Sequence, residues 1–533
     1  MKHAKNGRRC DLDALRGIAM VLGIVLHASL AYFPCPWPVQ DSRQWHVLAI
    51  VYAAIHGFRM PLFFLLSGFF TAMVAQRRCL QSLLWQRSLR IGLPLLIGVV
   101  TILPLDDRVI SWAIHRQARA VAKQSPLIDA ITKGDVPAVE QAATVWQYEA
   151  PSDQVLPTSP LVMAAMTGNP NIVAAVLAAG VSVNDTSSDG NTPLHAASFM
   201  GEADVVRLLL ERGADPTRRS NAGKRPLDVL GASADVAVIT RRFLGMPPRS
   251  LDDVVEGREV VRTLLVARTP PERLLPLEAL ATTYQTLLSS PRFSFRVGGT
   301  SLHLFASEVF DHLWFLWYLC WLIGIFAVAN LSGVSLGGHG RWWLVPLSCV
   351  PQAVMASAYG PDTALGLLPP PHLLLYYGCF FGFGAGTFAK EGQDTRLGQR
   401  WKVLLPLAVC VLFPASLATI HSRAVATVLQ PAFAWSATLG LVGGFRQFFS
   451  APSPRLRWLA DASYWMYLIH LPLVILLQSL LAGFAWPAAV KLLVVLVSTV
   501  VILLTTYRWC VRYTLIGSVL NGPKLPPACL SEH

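Results

Sequence analysis

The stretch LDALRGIAMVLGIVLHASLAYF, residues 12–33, decides the fold class of this chain. Its length and apolar composition are typical of a helix that crosses a lipid bilayer. It nevertheless carries Asp13 and Arg16 near one end and His27 deeper inside, all of them ionisable. Ionisable groups in a spanning helix are costly and mark functional sites. Histidine is also the side chain best suited to moving a proton near neutral pH.

The composition of the whole chain is that of a polytopic membrane protein. Of its 533 residues, 53% are hydrophobic and only 14% are charged, as expected for a chain in contact with lipid. We therefore predict an all-α fold, a polytopic bundle of about ten transmembrane helices. The apolar runs lie at about 14–33, 48–73, 91–110, 312–330, 342–359, 372–389, 402–420, 426–445, 461–483 and 487–507.

The net charge of +13 is distributed as in membrane loops, which excludes nucleic acid as an expected partner. Residues 106–311 hold 23 acids and 20 bases, whereas the apolar remainder holds 24 bases and 8 acids. With a cytoplasmic N-terminus, nearly all loop bases fall on the cytoplasmic side, which predicts a multi-pass inner-membrane protein with both termini in the cytoplasm. The basic segment 1–9 before an apolar run also fits a signal peptide, but cleavage would discard Arg16 and His27.

The cysteines give no sign of a disulfide framework or a metal site. All nine are scattered without a CxxC pair, and none lies in residues 106–311. The membrane part also has no P-loop, GxSxG or HExxH pattern. We therefore predict no metal cofactor.

A repeat interrupts the membrane pattern. The tripeptides that begin at Ser125, Ser159, Thr192 and Arg225 all end in Pro-Leu and recur at 34, 33 and 33 residues. The best copy spans 191–216 and resembles the ankyrin repeat, two antiparallel helices and a turn. We predict an inserted α-helical ankyrin solenoid, in which His195 occupies a structural position of the repeat.

The chain then divides into five parts. Residues 1–112 form a membrane part with helices 1–3, and 113–245 form the ankyrin insert, which alternation of sides places in the periplasm. Residues 246–307 are a linker, 308–515 the second membrane part with helices 4–10, and 516–533 a cytoplasmic tail. Within the linker, 251–266 has helical apolar spacing. Two interpretations stay open for it, an amphipathic helix on the membrane surface or an ordinary packed helix.

Five motifs resemble those of the acyltransferase-3 family of integral-membrane acyltransferases, with its glucan-biosynthesis protein C branch the most similar. The resemblance covers roughly 1–110 and 305–515 and leaves the insert outside, where the family has only a short loop. The motifs are Asp13-Ala-Leu-Arg16 with His27, His56-Gly-Phe-Arg-Met-Pro-Leu-Phe-Phe-Leu-Leu-Ser-Gly68, Arg87-Ser-Leu-Arg90, His312-Leu-Trp-Phe-Leu-Trp-Tyr318 and Ser463-Tyr-Trp-Met-Tyr-Leu-Ile-His470.

This resemblance implies O-acylation of an envelope glycan by a bacterial inner-membrane enzyme. The co-substrate would be cytoplasmic acyl-CoA, such as acetyl- or succinyl-CoA, and the acceptor a hydroxyl of a periplasmic glucan or another envelope glycan. The motif that holds Asp13, Arg16 and His27 would be catalytic, with His27 as general base. Arg16 and His27 are eleven residues apart, so they share a helix face at heights about 16 Å apart. A histidine tied by hydrogen bonds to neighbouring helices is the structural alternative.

Four further charged or aromatic groups are candidates for binding. Arg87 and Arg90 are three residues apart and suit the phosphates of coenzyme A, although positive-inside anchoring also explains them. Arg59 lies inside an apolar helix, one turn after His56, so it should face a tunnel or a carboxylate. The carboxylates considered for it are Asp41, Glu308, Asp311 and Asp461.

The remaining candidates lie in the last two motifs. We assign His312, Trp314, Ser463 and His470 to substrate binding, because aromatic rings stack on sugars, with a purely structural role as the alternative. Asp41-Ser42 either orients a catalytic histidine or forms a loop turn.

A second function class is compatible with these features. A membrane transporter or scaffold of the same fold would also bury histidine and arginine, with the ankyrin repeats binding a protein partner. A transporter should show related halves with paired broken helices, and the sequence has no clear internal symmetry of this kind. The repeats could also recruit the acceptor of an acyltransferase.

Overall fold

The protein is described from a computed structural model, and almost all of its regular structure is helical. The structure describes residues 9–35, 37–145, 159–187, 189–221, 223–231, 234–270, 275–297, 300–305, 307, 309–333, 339–362, 366–392 and 395–522. Glu308 and the end of the predicted tail, 523–533, lie outside the described residues.

The membrane part consists of long apolar helices. The helices of the first half are α1 (Cys10–Ser29), α2 (Val47–Arg77), α3 (Leu80–Arg87) and α4 (Leu93–Gln124), with a π-helical turn at Ser88–Gly92 that joins α3 to α4. Those of the second half are α14 (Trp314–Leu331), α15 (Leu344–Leu347), α16 (Cys349–Ala353), α17 (Pro371–Glu391), α18 (Trp401–Leu407), α19 (Phe413–Ala418), α20 (Arg423–Phe448), α21 (Pro454–Leu481), α22 (Ala488–Thr506) and α23 (Leu515–Asn521).

Among the described residues, eight helical segments are long and apolar enough to cross a membrane. Each contains or closely overlaps one of the ten apolar runs in the sequence. They are Cys10–Tyr32, Val47–Arg77, Leu80–Gln117, Asp311–Leu331, Trp401–Ala418, Arg423–Phe448, Pro454–Leu481 and Ala488–Val511. The membrane bundle expected from the sequence is therefore present.

The other two runs differ from the expectation of one uniform spanning helix each. The run at 372–389 is the continuous helix α17, whose many glycines and tyrosines make it less apolar than the other eight. The run at 342–359 is not one helix, because it breaks into the short helices α15 and α16, each of which contains a proline. Proline removes a backbone donor and crowds the preceding turn, so a long regular helix is disfavoured there.

The centre of the bundle is a close crossing of α2 and α17. A Cβ atom added at Gly68 would collide with the carbonyl of Phe381, and one added at Gly384 would collide with the carbonyl of Leu65. Small residues allow membrane helices to approach until their backbones touch. This crossing holds the two helices that carry His56 and Arg59 on one side and Tyr377 on the other.

The ankyrin insert begins where α4 ends. Helix α4 runs without a break to Gln124, beyond residue 112, and the stacked helices follow it. They are α5 (Pro126–Lys133), α6 (Val136–Val145), α7 (Pro160–Thr167), α8 (Pro170–Ala178), α9 (Pro193–Met200), α10 (Ala203–Glu211) and α11 (Ala234–Phe243). Each first helix of a pair starts with proline directly after a Ser or Thr cap, as the Pro-Leu repeat predicts.

The linker returns the chain to the membrane through α12 (Leu251–Val266), α13 (Pro276–Leu288) and an antiparallel hairpin of β1 (Ser294–Val297) and β2 (Thr300–His303). Val254, Val261 and Leu265 of α12 are fully buried against the ankyrin stack. Of the two interpretations of 251–266, the structure therefore has the ordinary packed helix. Its apolar stripe is covered by protein.

Candidate active site

A cavity of about 890 Å³ runs through the membrane bundle. Ten of the eleven site residues proposed from the sequence line it: Arg16, His27, His56, Arg59, Arg87, Arg90, His312, Trp314, Ser463 and His470. The eleventh, Asp13, lies outside the cavity wall, buried next to Arg16 with 3.8 Å between Oδ1 and Nη2.

The cavity extends along most of the length of the spanning helices. Arg90 lines it near the start of the α3–α4 path, and Ile110 lines it twenty residues further along the same path. At 1.5 Å per residue this separation is about 30 Å, which matches the hydrocarbon thickness of a bilayer. The arrangement therefore offers a passage between the two ends of the bundle.

His27 lies on the wall of this cavity and is half-buried. Its imidazole stacks on Trp37, with 5.8 Å between ring centroids, and its other neighbour is the ring of His470 at 5.2 Å. The Nδ1 atom of His27 is buried and has no hydrogen-bond partner among the described residues. A ring nitrogen held in place but left without a partner is available to a substrate hydroxyl.

One residue, Gln478, holds the stacked pair of His27 and Trp37 in position. Gln478 of α21 donates through Nε2 to the backbone carbonyls of His27 and Ala28, and its Oε1 accepts a 2.8 Å hydrogen bond from Nε1 of Trp37. One amide thus fixes both the helix end that carries His27 and the indole that covers its ring. Neither Trp37 nor Gln478 was singled out from the sequence, because nothing in their local pattern indicates a shared partner.

His470 and His312 continue the line of imidazoles from His27. Their centroids are 5.6 Å apart. Nδ1 of His470 lies 2.8 Å from the carbonyl of Tyr467, and because a carbonyl only accepts, this nitrogen carries the proton. Nε2 of His470 then presents a lone pair, and it is buried without a described partner. His470 is therefore also a potential proton acceptor in the cavity.

His312 differs from His470 because a carboxylate faces it. Its Nε2 donates to the carbonyl of Leu468 at 3.1 Å, and its Nδ1 lies 3.1 Å from Oδ2 of Asp106. Asp106 is completely buried. Two lone pairs cannot face each other favourably in such a place, so one of the two groups of the His312–Asp106 pair carries a proton. The site thus contains a buried proton carrier next to two imidazoles with open nitrogens.

Asp106 is a residue of the site that the sequence analysis did not select. Together with Asp107 it interrupts the third apolar run. A carboxylate in an otherwise apolar spanning run is itself a signal of a site. Its partner, His312, is 206 residues away, so only the fold shows the pairing.

Asp106, Asp311 and His312 are also the described group best placed to hold a metal ion. Their ligand atoms lie within 4.8 Å of one another. Two carboxylate oxygens and one imidazole nitrogen suit a divalent cation. The ion pair of His312 with Asp106 already accounts for two of these three side chains.

Arg59 lies against the first helix. Its guanidinium occupies the space where a side chain at position 23 would be, since a Cβ atom added to Gly23 would collide with Nη1. Arg59 lines the cavity, and its Nε is buried without a hydrogen-bond partner among the described residues. Of the two surroundings expected for this charge, the structure places it at the tunnel. Asp41, one of the carboxylates considered for it, pairs with Lys491 at 2.7 Å instead.

Asp41 also does not contact a catalytic histidine. Besides its ion pair with the fully buried Lys491, it accepts a hydrogen bond from the backbone amide of Arg43. The loop-turn interpretation of Asp41-Ser42 thus agrees with the structure, and the proposed orientation of a histidine does not. Among the described residues that line the cavity, His312 is the histidine that faces a buried carboxylate, and this carboxylate is Asp106.

Arginines dominate one end of the cavity. Arg87 and Arg90 follow each other along the α3–α4 path, and Arg16 lines the same end, where its Nη2 donates to the carbonyl of Ala460. The hydroxyl of Tyr464 donates to the carbonyl of Arg90 at 2.7 Å, which fixes the backbone there. Nε of Arg87 is buried without a described hydrogen-bond partner. This end is suited to an anion.

The central wall is aromatic. Trp314 lies beside Tyr377 and Tyr318, with ring centroids 5.5 Å and 5.3 Å away. His56 stacks on Tyr52 at 5.3 Å, and its Nε2 donates to the carbonyl of Pro361. Such flat apolar surfaces with polar edges are suited to the face of a sugar ring.

Two loop residues add contrasting chemistry to the wall. Burial raises the pKa of the Cys35 thiol to about 12, against a smaller opposite effect of Gln40, so this thiol stays neutral. Burial also disfavours ionisation of Asp362. Hydrogen bonds from His372 and from the amides of Ala356 and Ser357 outweigh that effect and lower the pKa of this carboxyl.

The opposite end of the cavity is completed by the ankyrin insert. Val236, Ile239 and Arg242 of α11 line it. Arg242 pairs with Asp107 of α4 at 3.1 Å, and the same guanidinium reaches the hydroxyl of Ser111. The insert therefore lies at the end opposite the arginines Arg87 and Arg90, and it forms part of the cavity wall.

Comparison with known proteins also divides the chain into a membrane bundle and an ankyrin insert. A family described as an acyltransferase domain matches residues 11–124 and 262–508, which is more than half of the chain. Ankyrin repeats, in three copies, match residues 127–220. The two matched regions thus separate the bundle with its cavity from the inserted stack.

Curated relatives carry the name Glucans biosynthesis protein C. Those from Escherichia coli strain K12 and strain SMS-3-5 / SECEC are 36% identical to this chain over 92 residues, as is the one from Escherichia coli O1:K1 / APEC. The aligned part is 17% of this chain and 24% of each relative. The chain thus spans about a quarter of the length of the curated relatives it matches.

Proposed function

Because this chain belongs to the acyltransferase-3 family, we propose that it moves an acyl group from a cytoplasmic acyl-CoA to a hydroxyl of an envelope glycan. The proposed acyl groups are acetyl and succinyl. The proposed acceptor is a periplasmic glucan or a related glycan, in keeping with the name of the curated relatives. The proposed location is the inner membrane of a bacterium, with both termini in the cytoplasm.

One observation carries the proposal. His27 has a buried, unpartnered Nδ1 on the wall of a cavity that extends about 30 Å along the bundle. A structural histidine would have used that nitrogen for a hydrogen bond, because an unsatisfied buried polar atom costs free energy. A general base needs the opposite, a nitrogen that the protein leaves to the substrate.

The proposed reaction is a direct transfer. The glycan hydroxyl gives its proton to Nδ1 of His27 while its oxygen forms a bond to the thioester carbonyl carbon. The bond between that carbon and the coenzyme A sulfur then breaks, and the sulfur leaves with a proton. The leaving sulfur takes its proton from His27, either directly or through the His312–Asp106 pair, which His27 then reprotonates, so proton and charge balance at the end of the step.

The proposed donor site is the arginine-rich end of the cavity. Arg87 and Arg90 would hold phosphate groups of coenzyme A through their guanidinium groups. The thioester would then enter the cavity beside Arg16 and Arg59. The acceptor would enter from the other end and lie against the aromatic wall of Trp314 and His56. In this arrangement the two substrates meet near His27.

The test is acyl transfer by a His27→Ala variant of the full chain in membranes. We expect the transfer of radiolabel from acyl-CoA to envelope glycan to fall by a factor of about 10² to 10⁴, the usual contribution of a general base. Unchanged transfer by a well-expressed His27→Ala protein would exclude the proposed mechanism. His421→Ala is the matched control, because this histidine is exposed and does not line the cavity, and its transfer rate should stay near that of the wild type.

We also propose that the ankyrin insert lies in the periplasm and binds a protein partner there. The support is its position at the end of the cavity opposite Arg87 and Arg90, together with the capacity of ankyrin stacks to present a binding surface. A reporter enzyme fused after Gly190 tests the side. Cytoplasmic reporter activity would contradict it, and the acceptor end of the cavity would then have to be reassigned.

A further inference from the structure

A second cavity, of about 630 Å³, lies where three segments meet beside the ankyrin insert. Its walls are formed by Gln40, Ser42 and Arg43, by the outer turns of α4 from Trp112 to Ala120, and by the segment 479–485 that ends α21. A 2.7 Å hydrogen bond from Gln117 Nε2 to the carbonyl of Gln40 joins the first two. Unlike the first cavity, it contains none of the residues discussed for acyl transfer.

The lining of this second cavity is basic. Arg43, Arg116 and Arg119 face it together with His115, and no carboxylate belongs to its described lining. Arg116 lies over the ring of Trp112, with 5.6 Å from its guanidinium carbon to the ring centroid. The nearby carboxylate Asp41 is already paired with Lys491. Guanidinium groups gathered around one cavity favour an anion between them.

The surroundings of this basic cavity are typical of a bilayer surface. Trp112, Phe484 and Trp486 are all 40% or more exposed, and they lie at the ends of spanning segments. Exposed aromatic side chains at helix ends are typical of the interface between lipid tails and headgroups. The basic cluster also lies at the end of the bundle where the charge pattern of the loops predicts few bases. The excess of bases in cytoplasmic loops therefore does not explain these arginines.

We propose that this cavity binds the phosphate of an anionic phospholipid headgroup. The arginines would hold the phosphate oxygens, and the exposed aromatic rings would lie along the acyl chains. Basic pockets between transmembrane helices recognise anionic lipid headgroups in this way. The site is separate from the proposed acyl-transfer site, because His27, Arg87 and Arg90 do not line it.

The experiment measures lipid retained by the full-length protein after purification and delipidation. Phosphatidylglycerol or phosphatidylcholine is added back, and bound lipid is counted by native mass spectrometry. We expect the wild type to prefer phosphatidylglycerol. Replacing Arg43, Arg116 and Arg119 together by Gln should weaken its binding about a hundredfold, since each arginine near an anionic surface contributes roughly a tenfold effect or somewhat less.

Two further proteins make the result specific. Arg212→Gln with Arg268→Gln and Arg292→Gln removes the same charge from exposed arginines elsewhere, and it should keep the wild-type affinity. Replacing Arg43, Arg116 and Arg119 by Lys retains the charge and should retain most of the binding, which separates lost recognition from lost folding.

Three results would overturn the proposal. The first is equal binding of phosphatidylglycerol by the wild type and the triple Gln variant. The second is equal binding of phosphatidylcholine and phosphatidylglycerol. The third is complete displacement of lipid by millimolar inorganic phosphate or by an anionic oligosaccharide, since the cavity would then be a site for a soluble anion.

Discussion

Two histidines, one in the membrane bundle and one in the ankyrin insert, show how the two regions use buried polar groups. In the insert, both ring nitrogens of His195 are occupied: Nδ1 accepts from the amide of Thr192 at 3.2 Å, and Nε2 donates to the carbonyl of Lys224 at 2.8 Å. In the bundle, Nδ1 of His27 has no described partner. The first histidine completes a scaffold, and the second is left open towards a cavity.

Buried arginines repeat the contrast. Arg241 of the insert pairs with Glu202 and donates to the carbonyls of Met166, Thr167 and Pro247. Arg59 of the bundle lies on the cavity wall with a buried Nε that has no described partner. In these two comparisons the satisfied groups belong to the scaffold of the insert, and the open ones line the cavity.

The largest effect is expected in the insert. Glu202 is buried between Arg241 and Arg249, with ion-pair distances of 2.8 Å and 2.5 Å. In Glu202→Ala, two arginines would lose their counter-charge, which should lower the free energy of unfolding of the stack by about 3–5 kcal/mol. Hydrogen exchange of α7 to α10 in the full-length protein measures this. Acyl transfer per folded molecule should change little, because Glu202 lies outside the cavity.

The matched control for this variant is Glu211→Ala. Glu211 is exposed at the end of α10, so its removal should change stability by no more than about 0.5 kcal/mol. Equal protection of the stack from hydrogen exchange in Glu202→Ala and the wild type would show that the buried ion pairs of Glu202 do not stabilise the insert.

The next effect is expected in the bundle, where the charge of Asp106 faces His312. Asp106→Asn keeps the shape but removes the carboxylate that holds a proton with His312. We expect kcat for acyl transfer to fall about 10²-fold, as for loss of a positioned proton carrier, while the KM for acyl-CoA stays within about twofold. Asp107→Asn is the control, because Asp107 is exposed and pairs with Arg242. A similar loss of kcat in both variants would contradict a specific role for Asp106.

A smaller effect should separate binding from chemistry at the arginine-rich end. Arg87→Gln and Arg90→Gln each remove one proposed phosphate contact, so each should raise the KM for acyl-CoA about tenfold and leave kcat almost unchanged. Arg77→Gln, which changes an arginine outside the cavity lining, should have no such effect. A KM near the wild-type value in the Arg87 and Arg90 variants would leave positive-inside anchoring as the explanation of these arginines.

Much of the fold could be predicted from the sequence because it depends on local patterns. Hydropathy indicated the long spanning helices, and the Pro-Leu recurrence indicated the ankyrin stack. The exception was 342–359, where hydropathy suggested one helix and prolines such as Pro346 and Pro351 break it. The spacing of 251–266 predicted a helix with an apolar stripe. It did not show that Val254 and Leu265 pack on repeats, because periodicity does not name the partner of a face.

The site was predictable only in part, for the same reason. His27, Arg59 and His470 could be selected because ionisable residues are rare within apolar helices. Their neighbours could not, because Gln478 reaches the end of α1 across more than 400 residues, and Asp106 meets His312 across more than 200. Such contacts follow from helix packing, which no local pattern encodes.

The smallest expected effect is the pH dependence of the stability of the insert, and it concerns the fully hydrogen-bonded histidine, His195. Burial lowers the pKa of His195 below its ordinary value, against a smaller opposite effect of the Lys224 carbonyl. As the pH falls through about 6.5, the unfolded chain binds a proton that folded His195 does not, so the stack loses stability towards acid. Hydrogen exchange of α9 at pH values from about 7.5 down to 5.5, corrected for the intrinsic exchange rate, should show this loss.

His195→Gln should be less stable at neutral pH, because it disturbs the cap at Thr192, but its protection should depend less on pH. If protection of α9 depended on pH equally in the two proteins, the insert would not hold the imidazole of His195 neutral. His195 would then not be the structural counterpart of His27.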